Sequence, residues 1–225
     1  MLGTELFSDL PKEELSRLVA IAQRRRFARN EVVFHRGDPA DTLHLVADGY
    51  FAARLQTRRG DTVTVAVHGR GDAFGELALL DSDRPRSTTV TALAAGETYA
   101  VRRNDFDRLR HEYPAVNDVL TRLLAERLRR TSELLAEALF VGAEVRILRR
   151  LGELVELYGD GASGTVVPLG QDELAGLAGT SRATVNRVLR AEAARGTLEL
   201  RRNQVRVVDA AALAARAARP AEALV

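Results

Sequence analysis

The stretch from Pro114 to Phe140, PAVNDVLTRLLAERLRRTSELLAEALF, limits the possible folds of this chain more than any other. Pro114 suits a first helical turn and the next interior breaker is Gly142, so the segment reads as one long helix. Along it Leu120, Leu124, Leu128, Thr131, Leu135 and Ala138 recur at spacings of four, four, three, four and three, the seam of a two-helix coiled coil. At the middle of this seam sit two adjacent hydroxyls, Thr131 and Ser132, where a plain dimerisation helix would carry another leucine. A polar pair there costs stability unless something hydrogen-bonds to it. Either Thr131 only sets the register of the pairing, or the pair waits for a ligand.

The rest of the chain divides around this helix, and 225 residues are enough for two modest domains. No apolar run approaches the roughly 20 residues of a membrane span, and the start MLGTELFSDLPKEEL lacks the basic and hydrophobic regions of a signal peptide. A cytoplasmic protein without membrane contact is expected. The absence of cysteine excludes disulfides, iron–sulfur clusters held by cysteine and thiol redox sensing, and the four histidines, 35, 44, 68 and 111, show no metal-ligand spacing. Net charge is only +2, so a nucleic-acid surface must be local. Lys12 is the only lysine, and a basic surface made of arginine favours bidentate contacts to phosphate or guanine.

Before the long helix, Ser8 to about Phe27 reads as an amphipathic helix. Short Val-, Thr- and aromatic-rich strands follow, near Val32 to His35, Thr42 to Ala47, Tyr50 to Thr57, Thr62 to His68, Ser87 to Ala92 and Glu97 to Arg102. Glycine turns between evenly spaced strands indicate an antiparallel sandwich or jelly roll. One segment breaks the rhythm, DAFGELALLDSDRPRSTTV from Asp72 to Val90. Gly75 permits close backbone approach, and Glu76 to Leu80 has the composition of a short helix whose N–H groups would face an anion. Arg86 adds a guanidinium fork, with the hydroxyls of Ser87, Thr88 and Thr89 behind it. Glu76 suits a sugar hydroxyl better than a phosphate. Together these residues describe a compact ribose phosphate, as in a cyclic mononucleotide. The plainer possibility is a surface turn in which Glu76 pairs with Arg86.

FGELALL followed by PRS resembles the phosphate-binding cassette of cyclic-nucleotide-binding domains, and the resemblance extends from about Leu6 to Val101, including the GDPAD turn at Gly37. It implies that Gly75, Glu76 and Leu77 form the cassette turn, with Gly75 and Glu76 meeting phosphate and ribose, Arg86 the phosphate, and Ser87 in support. LAERLRRTSELLAEALF is similar to the dimerisation helix of bacterial cyclic AMP receptors. There a Thr-Ser pair caps the adenine, which assigns Thr131 to the base in its own subunit and Ser132 to the base held by the other. A polar seam satisfied by ligand would couple binding to helix pairing.

After Gly142 come an amphipathic helix, Glu144 to about Tyr158, a turn-rich stretch and a short strand, Thr165 to Leu169. QDELAGLAGTSRATVNRVLR, Gln171 to Arg190, then reads as a helix-turn-helix: Ala175 is small where the helices cross, Gly179 makes the turn, and Val185, Val188 and Leu189 face inward. Thr197 to Leu200 and Gln204 to Val208 read as a β-hairpin wing, and the tail from Asp209 as a short helix. Between Arg182 and Arg206 seven arginines face two glutamates, more local charge than the whole chain's net +2. The domain resembles the DNA reader of the CRP/FNR superfamily, in which residues early in the second helix meet bases in the major groove. The resemblance implies phosphate contacts from Ser181 and Thr184, a guanine contact from Arg182, and a guanine or phosphate contact from Arg187. Ala183 departs from the glutamate common at that position, and Asn186 is the residue that would compensate.

The expected architecture is therefore α+β: a cyclic-nucleotide-binding β jelly roll over residues 1–113, a dimerisation helix over 114–141 and a winged helix-turn-helix DNA-binding domain over 142–225. The implied function is that of a homodimeric transcription regulator, not an enzyme. Cyclic AMP as allosteric ligand, and no metal, would set two reading heads about 34 Å apart on a pseudo-palindromic operator in double-stranded DNA, with RNA polymerase as the further partner. The same architecture tuned to cyclic GMP, to another ligand or to none is the nearest alternative; a regulatory subunit without DNA binding, or an enzyme acting on cyclic nucleotides, are more distant ones.

Overall fold

The computed structural model describes residues 12–57, 62–80, 84–159 and 161–218. It divides into two compact units, one comprising residues 1–57 and 65–130, the other residues 58–64 and 131–225.

The first unit opens with helix α1 (Lys12–Ile21) and continues through strands β1 (Gln23–Phe27), β2 (Val32–Phe34), β3 (Thr42–Asp48), β4 (Phe51–Gln56), β5 (Thr62–His68) and β6 (Ala73–Phe74). A one-turn 3-10 helix (Glu76–Leu79), β7 (Thr89–Ala92), β8 (Gly96–Arg102) and α2 (Arg103–Glu112) lead into α3 (Ala115–Phe140). The strands form two sheets, in the orders β1-β8-β3-β6 and β2-β7-β4-β5. Period-two alternation along β3 explains the layering. Val46 points between the sheets into a core with Phe27, Phe34, Phe51, Phe74 and Val90. Leu43 and Leu45 point outward, where Phe106 and Leu109 of α2 and Val116, Val119, Leu120 and Leu123 of α3 cover them.

The long helix has the expected extent, but its apolar stripe is divided. Leu120 lies in the core of its own unit and Leu124 packs against that core. Leu128, Leu135, Leu139 and Phe140 are exposed, each by more than 60%.

Two other expectations are corrected. The helix expected from Ser8 to Phe27, whose first part lies outside the described residues, ends at Ile21; Gln23–Phe27 is a strand that pairs antiparallel with β8 from Ala100 to Gly96. This edge strand buries only Phe27, and Arg24 and Arg26 both ion-pair with Glu97 on the neighbouring strand. Helix α2 was not expected, because RNDFDRLRHE offers only Phe106 and Leu109 to a core.

The second unit contains the end of α3, then α4 (Ala143–Gly159), β9 (Val166–Val167), α5 (Gln171–Ala178), α6 (Arg182–Ala194), β10 (Leu198–Arg201), β11 (Gln204–Val207) and α7 (Ala210–Ala217). Its sheet has the order β10-β11-β9. Ile147, Leu148, Leu151, Leu154 and Val155 of α4 are buried, as are Leu174 of α5 and Val185, Val188 and Leu189 of α6. At the break after Phe140 the end of α3 is tied to α4, because Glu137 accepts hydrogen bonds from Arg149 Nη1 at 2.9 Å and Arg150 Nη2 at 2.6 Å. The Arg150 side chain is only 3% exposed, so this ion pair is held largely out of water and is directional.

Candidate functional site

In the first unit the turn after β6 and the segment that leads into β7 bring Gly75 and Arg86 together. Gly75 precedes the 3-10 turn in the left-handed region, φ 80°, where an L side chain is strained. A Cβ on it would stand 2.8 Å from Arg86 Nη1 and 3.0 Å from the Thr42 carbonyl oxygen, so the position also demands the space that glycine leaves. The Gly37–Asp38 turn holds the Arg86 backbone: Gly37 N donates to Arg86 O and Arg86 N to Asp38 O, each at 2.9 Å.

The guanidinium is buried, with its Cζ 4.1 Å from the centroid of the Phe34 ring, a cation–π arrangement. Its Nη1 donates to the Thr42 carbonyl at 2.8 Å and to the Gly75 carbonyl at 3.5 Å, and its Nη2 donates to Thr42 Oγ1 at 2.6 Å. Asp41 lies 3.7 Å from Nη2. Burial pushes the Arg86 pKa down from its ordinary value, while Asp41, Asp38 and Glu76 oppose that shift. Nε is buried and has no hydrogen-bond partner. An arginine carries five N–H donors, and those left for an anion are the Nε–H and the Nη2–H not given to Thr42. A donor stranded out of water is costly, and a phosphate oxygen is an acceptor suited to it. Glu76 is half-buried beside this fork, and Leu77 and Ser87 are exposed. Thr42 is a member of this site with no local signal in the chain; only the β3 register brings it to Arg86.

Behind the cassette, His44 stacks on Phe74 at 5.1 Å and its Nδ1 lies 3.0 Å from Thr98 Oγ1. Arg127 of α3 donates through Nη2 to His68 Nδ1 at 3.1 Å and to the Ala73 carbonyl at 2.8 Å, two residues before Gly75. Because arginine only donates, His68 Nδ1 must accept, and its proton sits on Nε2. Burial, reinforced by Arg86 and Arg25, pushes His44 down to about 3. Burial and Arg127 push His68 down to about 3. Thr131 and Ser132 are exposed on α3 and belong to the second unit.

In the second unit α5 ends at Gly179, φ 57°, and Ser181 caps α6 by accepting from Thr184 N at 3.2 Å. Arg182, Ala183, Arg187 and Arg190 are exposed on α6, while Thr184 and Asn186 are half-buried. Two of the expected contact residues are engaged within the unit: Gln171 Nε2 donates to Asn186 Oδ1 at 3.4 Å, and Arg182 pairs with Asp172 at 3.0 Å. Both members of the Arg182 pair are 67% exposed, and such a pair is worth about 0–1 kcal/mol, weak enough to exchange for a base edge. Arg195 pairs with Glu192, and Arg201 and Arg206 with Glu199. Among the described residues Arg187, Arg190 and Arg202 have no ion-pair partner. The unpaired cations are thus fewer than the sequence count suggests, and they lie on α6 and at the tip of the β10–β11 hairpin.

Among the described residues no helix is long and apolar enough to cross a membrane, and no group of three or more His, Cys, Asp or Glu is placed to hold a metal ion. Residues 24–113 match the model of the cyclic nucleotide-binding domain, and residues 145–216 match that of the Crp-like helix-turn-helix domain. The chain is 36% identical to the cyclic AMP receptor protein of Thermus thermophilus, over 95% of this chain and 96% of that one. It is 30% identical to a CRP-like cAMP-activated global transcriptional regulator of Mycobacterium tuberculosis, over 94% of this chain and 96% of the relative. A solved structure of the global regulator CLP of Xanthomonas campestris, described as responsive to c-di-GMP, is similar with a TM-score of 0.77 at 25% identity, covering 88% of this chain and all of that one.

Proposed function

The chain belongs to the CRP-like family of transcription regulators, which join a cyclic nucleotide-binding domain to a Crp-like helix-turn-helix domain, and from that premise we propose that it is a cyclic-AMP-responsive homodimer that reads a pseudo-palindromic operator. Residues 1–113 bind the nucleotide, 114–141 form the dimerisation helix and 142–225 read DNA. The observation that carries the ligand assignment is the apposition of Gly75 and Arg86, with a guanidinium that keeps donors for an anion although it is buried. Gly75, Glu76, Leu77, Arg86 and Ser87 hold the cyclic phosphate and ribose, and Thr131 and Ser132 close over the base. The ligand is an effector whose binding energy shifts an equilibrium, and no bond in it is broken.

The exposed Leu128, Leu135 and Leu139 support pairing of α3 with a second copy. On DNA, Ser181 and Thr184 meet phosphate, and Arg182 and Arg187 meet guanine or phosphate. Asn186, held by Gln171, flanks the Ala183 position, where only an apolar contact to a thymine methyl is available. The bound dimer then acts on RNA polymerase. A second reading, with the same architecture but a different ligand, is favoured by the CLP structure, whose description names c-di-GMP.

Selection of bound DNA from a random pool, with cyclic AMP, with cyclic GMP, with c-di-GMP and with none, tests these statements together. A palindromic consensus enriched only with cyclic AMP is expected. Enrichment that is equal without nucleotide would overturn the switch, and the absence of any consensus would overturn the reader.

A further inference from the structure

Glu192 stands in the last turn of α6, and none of it reaches solvent. A carboxylate there faces the negative end of the helix dipole, and a charge out of water needs partners. The structure supplies three, each from a different place. Thr197, which opens the wing hairpin, donates its hydroxyl to Oε2 at 2.7 Å. Arg195, the C-cap of α6, donates to Oε1 at 3.1 Å. Arg216, in the last turn of α7, brings Nη2 to 2.6 Å from Oε1 and is only 17% exposed, whereas Arg195 is 51% exposed.

The same residues tie the wing to α7 and α7 to α4. Thr197 O accepts from Val208 N at 2.9 Å and Asp209 N at 3.3 Å, and Asp209 caps α7. Arg149 Nε of α4 donates to Ala217 O at 3.1 Å, and Leu213 of α7 is buried. A buried ion pair is no better for stability than well-packed apolar groups of the same volume. What it adds is direction, because a short charge-assisted hydrogen bond fixes angle as well as distance.

We propose that Arg216 is a positioning residue for DNA reading: through Glu192 it locks the end of α6 to the start of the wing, so that Arg187 and Arg190 on α6 and Arg202 at the wing tip are presented as one surface. This rests on the assignment of α6 and the wing as the DNA reader. The C-terminal helix, remote in sequence from the helix-turn-helix, is then part of the reading head.

The experiment uses full-length wild type, Arg216→Met, Arg216→Lys and the double variant Glu192→Leu/Arg216→Met, with cyclic AMP present and the operator selected above. For each, thermal unfolding is measured together with the ratio of operator affinity to that for a scrambled duplex of equal length. Arg216→Met is expected to lower both the melting temperature and the ratio, the latter at least tenfold, and Arg216→Lys to keep an intermediate ratio. The double variant should regain the melting temperature while its ratio stays at least tenfold down. A wild-type ratio in Arg216→Met, or a ratio restored along with stability in the double variant, would overturn the proposal, since burial alone would then explain the pair. A wild type that selects no DNA overturns the reader assignment and this proposal with it, and the wild-type arm alone distinguishes that result.

Discussion

Gly75→Ala puts one methyl group where the cassette has no room for it. The backbone there has φ 80°, and an L residue in the left-handed region costs about 1–2 kcal/mol, less the few tenths to 1 kcal/mol by which alanine restricts the unfolded chain. The new Cβ would also meet Arg86 Nη1 at 2.8 Å and the Thr42 carbonyl at 3.0 Å. Thr42 O cannot retreat easily, because Thr42 begins β3 and is paired with Arg102 of β8. Arg86 can yield only by giving up its 2.8 Å hydrogen bond to that carbonyl. Overpacking of this kind costs roughly 1–3 kcal/mol, so Gly75→Ala should destabilise the first unit by about 2–4 kcal/mol. Gly37→Ala is the control, because it shares the backbone problem at φ 95° and has nothing within 4 Å of the added Cβ. Its cost should be near 1 kcal/mol. Urea denaturation of both variants, followed by circular dichroism, measures the difference, and calorimetry with cyclic AMP measures whether the displaced guanidinium has lost its ligand. If the two variants were destabilised within about 0.5 kcal/mol of each other and Gly75→Ala bound cyclic AMP as wild type does, the steric account of the cassette would be refuted.

Arg86→Ala should lower cyclic AMP affinity at least ~100-fold, since a charge-assisted, partly buried pair is lost; unchanged affinity by calorimetry would contradict it. Arg182→Ala should remove sequence preference while leaving most nonspecific affinity, as read by competition with random duplex, and an unaltered operator preference would count against the guanine contact. Leu135→Glu should give monomers by sedimentation, because it places a charge in the stripe formed with Leu128 and Leu139, while a dimer of wild-type affinity would rule that stripe out as the interface. His44 and His68 both have folded-state pKa values near 3, below the ordinary 6.5. The stability they contribute is therefore complete above about pH 6.5 and is lost as pH falls from there toward 3, at about 1.4 kcal/mol per pH unit for each imidazole. Neither ring should titrate by NMR between pH 7 and pH 4, and a midpoint near 6 for either would show that it is not buried as a neutral base.

What could be read from the sequence was what is local. Gly75, Glu76 and Arg86 lie within a dozen residues of one another, and the structure brings Arg86 Nη1 to the Gly75 carbonyl at 3.5 Å. The helix-turn-helix likewise depends on short-range spacing: Ala175, small and buried in α5, and Gly179 at φ 57° lie within five residues of chain, whereas Ser181, read as a phosphate contact, also proves to cap α6. What could not be read depends on partners far away. Thr42 holds Arg86 across 44 positions, and nothing in TLHLV announces it. QRRRF becomes a strand because β8 presents an open edge and Glu97, not because of its own alternation. The arginine count around α6 overstated the unpaired charge there, since Glu192 is buried inside the unit with Arg195 and Arg216 on it, and Glu199 lies between Arg201 and Arg206.

The long helix is where the sequence pattern and the structure differ most usefully. Its apolar stripe looked like one continuous seam, yet Val116, Val119, Leu120 and Leu123, at i, i+3, i+4 and i+7, are consumed by the sheet beneath them. Arg127 closes that covered half by reaching back to His68 and the Ala73 carbonyl. The exposed apolar rungs, which the proposed partner helix would cover, begin near Leu128 and continue through Leu135 to Leu139. Thr131 and Ser132 therefore fall in the first heptad of the exposed stripe instead of its centre. A seam this short gains little from each apolar rung, and two hydroxyls near its start occupy positions where leucines would add most to pairing. In the proposed complex a ligand capped by these hydroxyls would act where pairing begins, and the free energy of capping one base would help decide whether the remaining leucines meet.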